Sequence, residues 1–321
     1  MSLALVFSPQ GLQSVGMGRA LANVSPHARE AFVAADEVLG WSVSGLAWHG
    51  PEEALNDTRQ TQPCLLATSV ACLRAIEEAL EARGERLEPA FVAGHSVGEY
   101  AALVAAGVLS FEDALRLVAR RGELMAGAGV PGGMAAVIGL DRPAVAAVVE
   151  EMAVGDALIV ANDNAPGQVV ISGEDARLAD AAVRLRAAGA RRVIPLNVSG
   201  PFHTPMMSGV GATLAAAFDR ATWRDADLPM ISNVTAEPVC DAGEIRTLLA
   251  RQVSAPVEWV ASVRRMAAEG VDTFVECGPG GALSGMIRRI VPQATALTVS
   301  DPATLEHAVE AMLGARARVS V

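Results

Sequence analysis

The chain has 321 residues, is 51% hydrophobic and only 4% aromatic, and carries a formal net charge of -11 at pH 7. That length suits one large domain or two modest ones, with a core that must be aliphatic. The acidic balance excludes general nucleic-acid binding, which needs a basic face, and the longest uncharged apolar run, 100–111, is well short of the ~20 residues that cross a bilayer.

The N-terminus, MSLALVFSPQG, lacks a basic leader region and a cleavage site, so it reads as a first strand, Leu3–Phe7, of a cytoplasmic protein. Helical periodicity follows over 16–22 and 28–39. The stretch from Pro63 predicts a helix over 63–82, closed by Gly84. PAFVAGHS is a buried strand, VGEYAALVAAG a helix stopped at Gly107, and Ser110, with Asp113 three residues on, caps the next helix. The middle third changes character. A strand at 134–140, a helix at 142–152, the strands ALIVAN and QVVISG joined through 163–167, a helix at 175–189 and the strand RRVIPLNVS make a β-α-β-β-α-β unit. That is the split βαβ pattern of a ferredoxin-like subdomain. Beyond it, 204–217 is helical, PMISNVT is a strand, and 245–252 and 257–269 are helical. DTFVECGPGGALSGMIRRI reads as strand, glycine-rich turn and helix, TALTVS as a last strand, and 303–313 as a closing helix. Strands alternating with helices predict an α/β fold with a doubly covered parallel sheet. The expected organisation is a discontinuous large domain (1–127 and 200–321) of α/β-hydrolase-like type with an inserted ferredoxin-like subdomain at 128–199.

Gly94-His95-Ser96-Val97-Gly98, between strand and helix, has the GxSxG pattern of a nucleophile elbow. The turn exposes Ser96 at a helix N-terminus, where free N–H groups and the helix dipole would stabilise an oxyanion. A serine needs a base. Of the five histidines, His95 adjoins the serine and should project elsewhere, His27 follows Pro26 near a helix start, His49 lies in a loop, and His307 lies in the closing helix. His203, where the chain re-enters the large domain, is the best placed. Counting along two antiparallel helices at about 1.5 Å per residue returns Arg121 to the level of Ser96. By count alone a surface arginine or internal ion pair remains a better reading than a carboxylate clamp. Cys64, Cys72, Cys240 and Cys277 show neither metal spacing nor CxxC, which predicts four buried thiols in a reducing compartment and no metal site.

In chain order, GHSVGEYAALVAAGVLS, VARRGELM, NAPGQVVISG, GPFHTPMM and VECGPGGAL cover nearly the whole sequence. As a set they resemble the malonyl-CoA:acyl carrier protein transacylases of type II fatty-acid synthesis, relatives of polyketide-synthase acyltransferase domains. The resemblance implies ping-pong transfer of malonyl from malonyl-CoA to the phosphopantetheine thiol of acyl carrier protein, through an ester on Ser96 and without a cofactor. It implies a Ser96–His203 dyad oriented by a backbone carbonyl near Gln252 instead of an aspartate. It also implies an oxyanion hole from the N–H groups of Gln10 and Val97, Arg121 on the malonyl carboxylate, and His95, Asn162 and Gln252 at the substrate pocket. Phe202, before the histidine, leans toward malonyl over methylmalonyl. The family's first loop reads Pro-Gly-Gln-Gly-Ser-Gln after a Phe; here Ser8-Pro9-Gln10-Gly11-Leu12-Gln13 follows Phe7. Pro9 removes one backbone donor but leaves that of Gln10. The carrier is acidic, so docking calls for a local basic patch at Arg191/Arg192, Arg264/Arg265 or Arg288/Arg289, and the family implies a monomer.

The alternatives are an acyltransferase or acyl hydrolase serving a polyketide synthase, a malonate decarboxylase transacylase subunit, an ordinary esterase, and a binding module with an inert elbow. An esterase would order its triad Ser, Asp, His, and nothing surrounds His307 to support that.

Overall fold

The computed structural model describes residues 2–152 and 154–319. Among the described residues ten strands form two sheets. β1 (Leu3–Phe7), β2 (Phe91–Gly94), β7 (Met230–Ile231), β8 (Pro238–Val239), β9 (Thr273–Cys277) and β10 (Thr295–Val299) make a six-stranded sheet in the order β10-β9-β1-β2-β7-β8. All neighbours are parallel except β8, which pairs antiparallel with β7 at the edge. β3 (Gly133–Ile138), β4 (Leu158–Ala165), β5 (Gln168–Gly173) and β6 (Arg192–Pro195) form an antiparallel sheet in the order β4-β5-β3-β6.

The apolar run of β1 suits a strand covered on both faces, and its period of two divides it between two cores. Leu3, Leu5 and Phe7 pack into one cluster, with the buried helix Thr58–Glu81 at its centre. Ala4 and Val6 pack into the other, against the helices Trp259–Ala268 and Ala282–Ile290. The second sheet has its own core, in which Val137, Val169 and Ile171 meet Val145, Ala181 and Leu185 of the helices Arg142–Glu151 and Asp175–Ala187. No helix among the described residues is long and apolar enough to cross a membrane.

Several boundaries differ from expectation, each for a local reason. The helix predicted from Pro63 starts at Thr58, because Asp57 accepts from Arg59 N–H and caps it a turn earlier. Pro63 sits inside the helix, where Arg59 C=O loses its usual donor. The helix predicted at 16–22 is Arg19–Val24, and 204–217 becomes a short 3-10 turn, Pro205–Met207, followed by Ser208–Phe218. β4 runs on to Ala165, so its hairpin turn is only Pro166-Gly167, with Gly167 at φ 68°. PMISNVT holds just two strand residues before the chain turns back into β8. His49 ends the helix Val43–His49 and is not in a loop. Cys64, Cys72 and Cys277 are buried, but Cys240 is exposed, because it follows edge strand β8 into the cap of the helix Ala242–Gln252.

The turn from β2 into the helix Gly98–Ala105 is the tightest point of the large sheet. A Cβ on Gly94 would overlap the Gly98 carbonyl, and one on Gly98 would overlap the Phe7 carbonyl at the end of β1. All of these are backbone atoms, so relief needs the strands themselves to move. Gly94→Ala or Gly98→Ala is expected to lose about 1–3 kcal/mol or more in chemical unfolding. Gly285→Ala, at a helical position with nothing nearby, should be neutral or stabilising by up to ~1 kcal/mol. Equal behaviour of the three would show that the close approach does not constrain the turn.

Candidate active site

The site lies past the carboxyl ends of β1, β2, β7 and β9, where parallel α/β sheets collect functional loops. Ser96 sits between β2 and its helix with φ 53°, a left-handed conformation rare for a residue with a Cβ. Asn233, just after β7, holds it there. Its Oδ1 accepts from Ser96 N–H at 2.7 Å and its Nδ2 donates to Gly94 C=O at 2.6 Å. Asn233 N–H donates to Glu99 Oε1 at 3.0 Å. Ser96 N–H is therefore engaged, whereas Val97 N–H meets no backbone carbonyl among the described residues.

His203 also has positive φ, 61°, and its N–H donates to Val253 C=O at 3.0 Å. Its Nδ1 lies 2.9 Å from Gln252 C=O. A carbonyl only accepts, so Nδ1 carries the proton and Nε2 the lone pair. Nε2 is 2.9 Å from Ser96 Oγ and accepts a hydrogen bond from it. Burial, reinforced by the Arg121 charge, pushes the imidazole down to about 3, so it is neutral across the physiological range.

Arg121 stands where the count along the helices Gly98–Ala105 and Phe111–Ala126 puts it. It is 1% exposed. Nη1 donates to Gln62 Oε1 at 2.7 Å, and Nη2 donates to Ser96 Oγ at 3.1 Å and Gln252 Oε1 at 2.9 Å. All three acceptors are uncharged, and Nε has no partner among the described residues. Gly122 makes the meeting with Gln62 possible, since a Cβ there would press on the backbone of Thr58 and Arg59.

Ser96, His203, Arg121, Gln10, His95, Asn162 and Phe202 all line one cavity of about 270 Å³; Gln252 lies outside the lining and donates to Ser96 C=O, and Val97 follows Ser96 on the turn. His95 Nε2 lies 2.8 Å from Asn164 Oδ1 and donates to it, and His95 borders the same cavity as Ser96. Burial pushes its imidazole down to about 4. Asn162 and Asn164 reach the cavity from β4, whose register shifts beside both residues. Asn162 Nδ2 has no partner among the described residues. The unusual first loop is anchored through Ser8, whose Oγ donates to Glu276 Oε1 at 3.1 Å. The buried Glu276 also accepts from the N–H groups of Leu283 and Ser284, tying β9 to its following helix. Gln10 is held by Thr58 Oγ1 at 3.1 Å. Gln62, Glu99, Asn233 and Glu276 were not legible as site residues. The only cue, a polar residue inside an apolar segment, is shared by many positions. Among the described residues no group of three or more His, Cys, Asp or Glu side chains is arranged for a metal ion.

Residues 4–312 match the acyl transferase domain family. The chain is 41% identical over 314 residues to the malonyl CoA-acyl carrier protein transacylase of Bacillus subtilis, covering 97% of each. It is 43% identical over 309 residues to that of Salmonella typhimurium, covering 95% of this chain and 98% of the relative. Among solved structures, an acyl-carrier-protein S-malonyltransferase from Burkholderia pseudomallei superposes with a TM-score of 0.92 at 40% identity, over 97% of this chain and 100% of the other. A malonyl-transacylase in complex with a type II polyketide-synthase acyl-carrier protein superposes with a TM-score of 0.91 at 40% identity, over 97% and 99%.

Burial of the two imidazoles has a consequence for stability. The unfolded chain binds protons at both near pH 6.5, the folded one only near 3 and 4. Their contribution is complete above pH 6.5 and is lost on acidification, at about 1.4 kcal/mol per pH unit for each. Glu99, raised by burial from 4.5 to about 7, opposes one of them over that interval. His203→Gln should flatten the pH dependence of urea stability below pH 6.5 by about 1.4 kcal/mol per unit; curves parallel to wild type would mean that His203 is not buried as a neutral base.

Proposed function

Since the chain belongs to the acyl transferase domain family, we propose that it is an acyl-carrier-protein S-malonyltransferase working through a malonyl ester on Ser96. One observation carries this reading: a buried guanidinium 3.1 Å from the nucleophilic hydroxyl with only neutral groups bonded to it. A buried cation with no carboxylate in direct contact is poorly compensated: Glu99 reaches Arg121 only through Gln252, and an acyl group ending in a carboxylate supplies a direct partner where the chemistry occurs.

In the first half-reaction Ser96 Oγ–H passes its proton to His203 Nε2 as Oγ attacks the thioester carbonyl. The oxyanion is met by Val97 N–H and Gln10 N–H. Collapse expels the coenzyme A thiolate, which takes the proton from His203, and the malonyl group remains on Ser96. The second half repeats these steps in reverse, with the phosphopantetheine thiol of the carrier giving its proton to His203 and attacking the ester. Gln252 C=O supports the Nδ1–H tautomer throughout, the task an aspartate performs in other serine enzymes. The malonyl carboxylate replaces Ser96 Oγ as a partner of Arg121. An acetyl group cannot, and leaves the guanidinium unpaired. No cofactor is needed, because the thioester already carries an activated acyl group.

With this reading go a large α/β-hydrolase-like domain, 1–127 and 200–321, and a ferredoxin-like insert at 128–199, supported by the strand order β4-β5-β3-β6. It also carries a monomer in the cytoplasm. For the acidic carrier, Arg288/Arg289 is the favoured pair, because Arg289 Nη1 donates at 2.9 Å to Gln168, which lines the cavity. Supply of malonyl to a type II polyketide carrier is a second reading, favoured by the likeness to the transacylase complexed with such a carrier.

Intact-protein mass after brief mixing with malonyl-CoA should show one malonyl adduct, absent in Ser96→Ala. Arg121→Ala should reduce the preference for malonyl- over acetyl-CoA on the order of 100-fold. Release of coenzyme A without an adduct would replace transfer by hydrolysis.

A further inference from the structure

Behind the reacting groups, and outside the cavity lining, lies a carboxyl that the steps above do not use: Glu99, 2% exposed on the first turn of the helix Gly98–Ala105. Resting on the malonyltransferase reading, we infer that Glu99 is a positioning residue that sets the orientation of the Gln252 side-chain amide and thereby holds Arg121 in register with the acyl carboxylate.

Both neighbours of Glu99 are donors. Oε1 accepts from Asn233 N–H at 3.0 Å, and Oε2 accepts from Gln252 Nε2. Only a group with two acceptor oxygens satisfies both; an amide in its place must point a donor at one of them. Gln252 is fully buried. Its Nε2 donates to Ser96 C=O at 2.8 Å as well as to Glu99, and its Oε1 accepts from Arg121 Nη2 at 2.9 Å. A flipped amide would set Nε2 against the guanidinium and Oε1 against a carboxylate and a carbonyl, with no solvent to relieve either. Glu99 therefore acts with Arg121 and Ser96 C=O to fix which way Gln252 faces, and it is the one of the three whose hydrogen bonding changes with protonation. The backbone C=O of the same Gln252 receives His203 Nδ1–H, and the Asn233 reached by Oε1 holds the Ser96 turn. One carboxylate thus ties together the arginine, the base and the nucleophile.

The groups facing this network are Arg121 from the helix Phe111–Ala126, Tyr100 beside Glu99, and His203. Burial holds Glu99 up at about 7, raises Tyr100 and keeps His203 at about 3 and His95 at about 4. Arg121 stays charged. Of these groups, Glu99 alone changes charge between roughly pH 5.5 and 8.5. Protonation would set an O–H against one of its two donors.

The test is the ratio of Ser96 acylation rates by malonyl-CoA and acetyl-CoA, read by intact mass over roughly pH 5.5 to 8.5. Titration of the coenzyme A phosphate, near pH 6, is common to both and cancels. In wild type the ratio should fall about tenfold or more toward acid, with a midpoint near that of Glu99. Glu99→Gln should show the low ratio at every pH, with the loss in KM for malonyl-CoA exceeding that in kcat. Glu99→Asp, which keeps two acceptors and the charge, should restore the pH dependence. A flat wild-type ratio overturns the inference whether or not the variants fold, as does a folded Glu99→Gln within about twofold of wild type at high pH. A wild-type protein that forms no malonyl adduct overturns the malonyltransferase reading, and this inference with it.

Discussion

A guanidinium taken out of water must be given hydrogen bonds, and Arg121 receives them from Gln62, Gln252 and Ser96. Much of the architecture serves that requirement. The helix Thr58–Glu81 brings Gln62, the helix Phe111–Ala126 brings Arg121, and Gly122 lets their backbones come close enough for the two side chains to meet. The helix Ala242–Gln252 ends at the residue whose side chain holds the arginine and whose carbonyl holds His203. Uncharged acceptors keep the cation buried without a direct ion pair, which suits the proposed recognition of a carboxylate on an incoming acyl group.

The same economy appears in the backbone. Ser96 and His203, the two groups proposed to exchange a proton, both occupy left-handed φ values that other residues with a Cβ rarely adopt. Such conformations persist only where the surroundings over-determine them. Ser96 is held by Asn233 on its N–H and by Gln252 on its C=O, and His203 by Val253 on its N–H and Gln252 on its ring. The strain sits at Ser96 and His203, and the supports come from more than 130 residues away for Ser96 and about 50 residues away for His203.

Much of this was legible beforehand. The alternation of short apolar runs with amphipathic stretches marks an α/β chain, and β1, β2, β9 and β10 fall where apolar runs end in glycine or polar loops. GxSxG between strand and helix marks Ser96, and helical rise alone returns Arg121 to its level, because both depend on spacing within one continuous segment. Local reading failed where a tertiary contact overrode a local signal. Asp57 outbid Pro63 for the helix start, and PMISNVT keeps only Met230–Ile231 as strand because the chain turns at Ser232 to pair β8 back on β7.

The chain's order of residues determined the alternating elements, the place of Ser96 on its turn and the register of Arg121 along its helix, since each follows from backbone geometry over a few adjacent turns. The tertiary structure alone decided that Gln62, Glu99, Asn233 and Gln252 converge on one point. Those four come from separate elements, and a buried polar side chain takes its meaning from the partner it finds across the core, which no pattern of neighbours along the chain encodes.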